Sequence, residues 1–150
     1  MTEAEPRRPE PVVVAEPIRL AEVVHFAFDQ HELSPQSREL LTEIAGVLGQ
    51  HPEVSITLAG HTDSRGSRGY NEALAHRRIM SVERFLIQAG INAVRMTRQT
   101  LGELEPKVVA QTEQGHARNR RVVLIYQAPT SLDMEAFYHE LDLQVLRGTR

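Results

Sequence analysis

Asp63 and Arg78 are the residues whose types and spacing best fit a recognition chemistry. Asp63 ends the run GHTD, Gly60–Asp63, in a glycine-rich stretch, and Arg78 follows fifteen residues later within NEALAHRRIMSV. On a helix counted from Leu74, Phe85 falls at about 20°, Val82 at about 80° and Leu86 at about 120°. Arg78 falls at about 40°, inside that apolar stripe. A guanidinium there must find an anion, because an unpaired buried charge is costly. Asp63 is the nearest candidate in sequence, so one reading is an internal ion pair. The other is a zwitterionic ligand, whose carboxylate and ammonium would satisfy both residues at once.

Thr62 and Asn71 flank this pair and can hydrogen-bond a peptide backbone, although an asparagine at a helix start also serves as a cap. His61 and Asp63 form an H-x-D pair that reads first as loop bracing. A catalytic dyad is the enzymatic rival, with no nucleophile motif to support it. No H-x-x-x-H or H-E-x-x-H pair is present, so neither metal nor cofactor is expected. The glycine-rich loop lacks the P-loop lysine, and Asp63 would repel phosphate.

The elements that must position these residues follow from the apolar pattern. Glu22–Asp29 alternates as a strand, with Val24, Phe26 and Phe28 on one face. Ser34 caps a helix that has Pro35 at its first position, and Leu40, Leu41, Ile44, Val47 and Leu48 form its stripe. Val54–Leu58 reads as a buried strand. Gly60–Gly69 is a loop feeding the Arg78 helix, which Gly90 stops. Arg95–Leu101 is a short strand, 102–118 is polar, and Arg121–Tyr126 is the clearest strand. The β-α-β-α-β-β order predicts an α+β sandwich, two main helices packed on one face of a mixed four-stranded sheet. Three units are expected: a proline-rich linker over 1–19, the domain over 20–128, and an extension over 129–150. Val12–Val14 is the part of the linker able to dock as a strand.

The extension reads as an amphipathic helix capped by Ser131, with Met134, Phe137, Tyr138, Leu141 and Val145 on one face. That stripe is too apolar to stay solvated. Docking on its own domain is expected, with a homodimer or a protein partner through 131–147 as the alternatives.

Composition bounds the function. The chain has 150 residues, 41% hydrophobic and 25% charged, with a net charge of −3. That balance gives no support to nucleic-acid binding, which shows as a basic domain. There is no cysteine, so neither a disulfide nor attachment through a lipidated cysteine is expected within these 150 residues. No run is long enough to span a membrane. The first residues lack the apolar core of a secretory signal.

Five ordered landmarks then carry a resemblance: FAFD at Phe26–Asp29, LSPQSRELL at Leu33–Leu41, GHTDSRGSRGYNEAL at Gly60–Leu74, RR at Arg77–Arg78, and NRRVVLIY at Asn119–Tyr126. From about Val24 to Tyr126 the chain resembles the OmpA-like C-terminal peptidoglycan-binding domain shared by OmpA, the peptidoglycan-associated lipoprotein and MotB. The resemblance implies a non-enzymatic domain that binds the peptidoglycan stem peptide. In it, Asp63 takes the ammonium and Arg78 the carboxylate of diaminopimelate. Thr62, Asn71, Asp29 and Phe28 line the groove, although Phe28 also reads as core. It further implies a periplasmic, cell-wall-associated location, with an export signal, anchor or parent membrane protein upstream. Of Arg120 and Arg121, adjacent on a strand, one is expected in solvent and the other bracing the loop carboxylates. Gln99-Thr100 before Leu101-Gly102-Glu103 departs from the family's small residue and aromatic-glycine-glutamate turn, which bears on one groove wall. The terminal helix is additional to the family pattern.

Overall fold

The computed structural model describes residues 12–13, 22–61, 67–102 and 120–148. Five strands and three helices alternate as β1 (Val12–Val13), β2 (Val23–His25), α1 (Pro35–Gln50), β3 (Ser55–His61), α2 (Arg68–Gln88), β4 (Met96–Gly102), β5 (Arg121–Ala128) and α3 (Ser131–Gly148). β5 is central. It pairs antiparallel with β3 on one side and with both β1 and β2 on the other, and β4 joins β3 in parallel. The architecture is α+β with a mixed sheet, as its pattern predicts. The sheet has four positions across, because the short β1 and β2 share one edge of β5. β1 falls within the proline-rich stretch and is the part of it with pairing capacity.

Alternation along β5 assigns the core face. Val122, Leu124, Tyr126 and Ala128 belong to one apolar cluster with Ile56 and Leu58 of β3 and Val24 of β2. Leu41, Ile44, Val47 and Leu48 of α1 enter it, as do Ile79, Val82 and Leu86 of α2. Ser34 caps α1 as its type predicts, its Oγ accepting from the Ser37 N–H at 3.1 Å. α2 ends at the expected stop, with Gly90 at φ 105°, a backbone state glycine adopts without strain.

The C-terminal helix docks on the same core. Met134, Phe137 and Leu141 are buried, and Tyr138 and Val145 pack against the cluster. The Phe137 ring lies 4.6 Å from Tyr126 and 5.7 Å, edge-on, from His51 at the end of α1. The cap differs from the expected Ser131. Thr130 supplies it, its Oγ1 accepting from the Asp133 N–H at 3.1 Å and its carbonyl from the Met134 N–H at 3.2 Å. Both residue types cap well. Two adjacent candidates cannot be ranked without the helix's exact entry, which the Phe137 contact fixes. Three helices therefore share one face of the sheet, where sequence alone counted two and an appendage.

Arg95 ties the far end of this layer together. Its guanidinium donates to the carbonyls of Leu48 at 2.9 Å, His51 at 2.8 Å and Val54 at 2.8 Å. These carbonyls lie at and beyond the last turn of α1, where Leu48 and His51 also accept backbone bonds from the N–H groups of His51 at 3.1 Å and Val54 at 3.0 Å. Burial lowers the Arg95 pKa, and Glu53 opposes that shift. Among the described residues, no helix is long and apolar enough to cross a membrane.

Two stability predictions follow from this packing. Phe137→Ala should cost about 3–5 kcal/mol, as truncation of a buried aromatic does, read from urea unfolding of the full chain. Its failure to shift the midpoint would contradict docking of α3 on its own core. Arg95→Met should cost about 1.5–3 kcal/mol, the range for hydrogen bonds made by a charged group. Faster hydrogen exchange concentrated at the C-terminal turn of α1 would locate that loss.

Candidate functional site

Arg78 is fully buried on α2, at 0% exposure. Its Nε donates to the Gln30 carbonyl at 2.7 Å and its Nη2 to the Ala27 carbonyl at 3.0 Å. The guanidinium also lies 5.3 Å from the centroid of the Phe26 ring. These bonds use two of the five N–H donors that an arginine carries. Arg78 thus grips the backbone of a turn, and its expected partner Asp63 lies outside the described residues. Buried carbonyl dipoles stabilise a cation as an anion would, and periodicity cannot distinguish the two.

The turn gripped in this way carries Phe28 and Asp29. β2 stops at His25, four residues short of the expected strand end at Asp29. The Gln30 N–H closes back on the Ala27 carbonyl at 3.1 Å, and Asp29 adopts φ 59°. That left-handed value is uncommon for a non-glycine residue, and aspartate tolerates it better than most. The turn breaks the alternation of Phe26 and Phe28. Phe26 is buried, whereas Phe28 is 52% exposed. The reading of Phe28 as core is therefore corrected, and the side chain is presented at the surface beside Asp29.

Arg120 braces the turn from the other side. Its Nε donates to the Phe26 carbonyl at 3.0 Å, while the Phe26 N–H donates to the Arg120 carbonyl at 2.9 Å. The Arg120 guanidinium lies 6.0 Å from the Phe28 centroid. Arg121 is equally buried, at 7% exposure. The expectation that one of the two lies in solvent fails, because Arg120 precedes the strand while Arg121 opens it. Arg121 sits in register between His25 of β2 and His61 of β3. Burial pushes its pKa down to about 10, so it remains a cation throughout the neutral range.

On the β3 side, the approach of α2 is set by Gly60. A Cβ at that position would meet the Ala75 carbonyl at 2.9 Å and Ile79 side-chain carbons at 3.0 Å. Glycine lets α2 lie directly on the strand, and the register shifts at Gly60/His61. His61 is buried at the end of β3. Thr62 and Asp63 lie outside the described residues, as does Asn119. Ser67 caps α2, accepting from the Tyr70 N–H at 3.2 Å. Asn71, one turn on, is 2% exposed, so the cap is not its role. Among the described residues no cluster of three or more metal-ligating side chains occurs.

The structure brings Arg78, Phe28 and Asp29 together through one turn, and it places Asn71 two turns before Arg78 on α2. Sequence reasoning missed Gly60 as a spacer; it expected one of Arg120 and Arg121 to brace loop carboxylates, whereas Arg120 braces the Phe26 carbonyl. The run NRR marked Arg120 but not its direction. Gly60 gave no signal beyond its place in GHTD.

Comparison with known proteins places this geometry. The model of the OmpA family matches residues 25–120. The peptidoglycan-associated lipoprotein of Buchnera aphidicola subsp. Baizongia pistaciae is 31% identical over 112 residues, covering 75% of this chain and 65% of the lipoprotein. Outer membrane porin F of Pseudomonas fluorescens is 37% identical over 109 residues, covering 73% of this chain and 33% of the porin. The crystal structure of the peptidoglycan-associated lipoprotein from Burkholderia pseudomallei superposes with a TM-score of 0.69 at 36% identity, covering 71% of this chain and 90% of that one. The chain thus spans between a third and two thirds of the length of these two curated relatives. It belongs to the OmpA family.

Two substitutions check the geometry. Gly60→Ala should destabilise the fold by about 1–3 kcal/mol, the usual penalty for overpacking, because the Ala75 carbonyl is backbone and cannot swing aside. Asp29→Gly should leave stability within about 1 kcal/mol, since glycine takes positive φ freely. Thermal unfolding of both variants measures the pair. A neutral Gly60→Ala would refute the close approach of α2.

Proposed function

We propose that this OmpA-family domain binds peptidoglycan noncovalently through the diaminopimelate of its stem peptide, and so anchors an envelope protein or complex to the cell wall. The observation that carries the reading is the buried Arg78, held in α2 beneath the turn that presents Phe28 and Asp29. The relatives named peptidoglycan-associated lipoproteins support the wall as ligand.

The roles follow from charge and geometry. Arg78 offers a planar fork of donors suited to a carboxylate, fixed in orientation by the Ala27 and Gln30 carbonyls. Asp63, following the end of β3, takes the ammonium of the same diaminopimelate. Thr62 and Asn71 hold the peptide backbone. Phe28 supplies an apolar wall and Asp29 a second acceptor beside it. Binding of this kind forms no covalent bond and needs no metal or cofactor. Affinity is moderate, since a small polar ligand must surrender its hydration. The wall-binding reading carries with it a periplasmic, wall-associated location.

A protein-interaction module built on the terminal helix is disfavoured by packing. Met134, Phe137 and Leu141 are consumed by the chain's own core, which removes the stripe that a second copy or partner would cover.

The test is calorimetric titration with stem peptides that differ only in the third residue, diaminopimelate or lysine. Binding of the first and a loss of at least tenfold with the second is expected, because lysine lacks the second carboxylate. Asp63→Ala should abolish pull-down by insoluble sacculi with an unchanged melting temperature. Arg78→Ala should lose both binding and stability, because the Ala27 and Gln30 carbonyls lose their donors. Equal affinity for the two peptides would sink the assignment of Arg78 to the carboxylate.

A further inference from the structure

A second cationic surface lies behind the same turn. Arg38 of α1 and Arg84 of α2 flank a groove of about 540 Å³, with His31 and Gln88 beside them and Leu33 and Phe85 beneath. Glu32 is the one carboxylate on its wall. The Ser81 hydroxyl donates to the His31 carbonyl at 2.5 Å and fixes the turn against α2 at this end, as Arg78 does at the other. Both arginines are exposed, and neither side chain has an ion-pair or hydrogen-bond partner among the described residues.

Two unpaired guanidinium groups converging on one groove call for an explanation in a chain of net charge −3. Like charges lining one groove repel, and an anion between them is attracted to both. Glu32 alone does not balance two arginines. An oxyanion bound between them would, and arginine forks match the flat, two-oxygen edge of a carboxylate. The floor of Leu33 and Phe85 excludes water from one side, which strengthens such contacts.

We infer that the Arg38–Arg84 groove is a second subsite for a carboxylate of the same wall polymer that occupies the Arg78 site. The inference rests on the wall-binding reading above. Position supports a single ligand reaching both. Arg84 follows Arg78 by six residues on α2, about 9 Å along the axis and about 120° around it. An extended peptide covers the axial part of that span in about three residues and needs further length to pass around the turn. The two surfaces also share the turn 27–31, whose carbonyls are tied to Arg78 and to Ser81. Occupancy of one side therefore bears on the other through a common backbone.

Titration of the full chain and of the double variant Arg38→Gln/Arg84→Gln separates the possibilities. The probes are free diaminopimelate and a wall fragment of one disaccharide with its stem peptide. The wild-type chain should bind the fragment more tightly than free diaminopimelate, and the double variant should lose about tenfold on the fragment only, the loss expected when charged hydrogen bonds of about 1.4 kcal/mol are removed. A wild-type chain that binds free diaminopimelate and gains nothing from the rest of the fragment overturns the inference and leaves the primary site standing. A chain that binds neither removes both. A third arm uses vesicles of phosphatidylglycerol against phosphatidylcholine. Binding to the anionic vesicles that is lost in the double variant, with fragment affinity unchanged, assigns the groove to lipid phosphate and overturns the carboxylate assignment.

Discussion

A guanidinium removed from water must be met by oxygens, and the arrangement around Arg78 follows from that demand. Among the described residues two of these oxygens are the carbonyls of Ala27 and Gln30, and the polypeptide between them curls over the arginine. Curling ends β2 at His25, forces Asp29 into a left-handed state and turns Phe28 outward. One buried charge thereby converts the end of a strand into a surface carrying an aromatic ring and a carboxylate. Removing the arginine would lose the turn before it lost any ligand. This is why binding data on Arg78 variants need a stability measurement beside them.

The turn is held redundantly, which bears on preorganisation. Arg78 reaches it from α2, Arg120 from the start of β5, and Ser81 from one turn further along α2. Three donors from two elements leave the backbone of 26–31 few alternatives. A ligand arriving at such a site does not have to order the chain first, and the conformational cost of binding falls accordingly. Gly60 acts in the same direction. By letting α2 lie against β3, it fixes the distance between the strand end that leads to Asp63 and the helix that carries Arg78.

Elements whose identity rests on periodicity were legible in the sequence. The stripe of α1, its Ser34 cap, the stop at Gly90 and the strand at 121–126 all follow from local rules that tertiary contacts did not override. What was illegible depends on partners distant in sequence. Phe28 reads as core by alternation, and only the grip of Arg78 on residues 48 and 51 positions earlier reverses it. Arg120 and Arg121 look like an in-out pair, but burial of both depends on where β5 begins. The choice of Thr130 over Ser131 as cap is likewise decided by the seat of Phe137. The family resemblance supplied the roles proposed for Asp63 and Arg78. The residues alone left open whether they pair with each other or with a ligand.

The terminal helix shows how an addition can be absorbed without disturbing a site. It covers the α1 and β5 side of the core, where Phe137 meets Tyr126 and His51. The turn, Arg78 and the Arg38–Arg84 groove are built by residues of 26–38 and of α2. The two regions share the core. A mutation that weakens α3 therefore lowers global stability while leaving the local geometry of the turn intact in the molecules that remain folded. Loss of wall binding in such a variant should track the folded fraction and nothing more. A variant of the turn itself should instead lose affinity per folded molecule. Separating these quantities for Phe137 and for Arg78 distinguishes what holds the domain together from what it presents to a ligand.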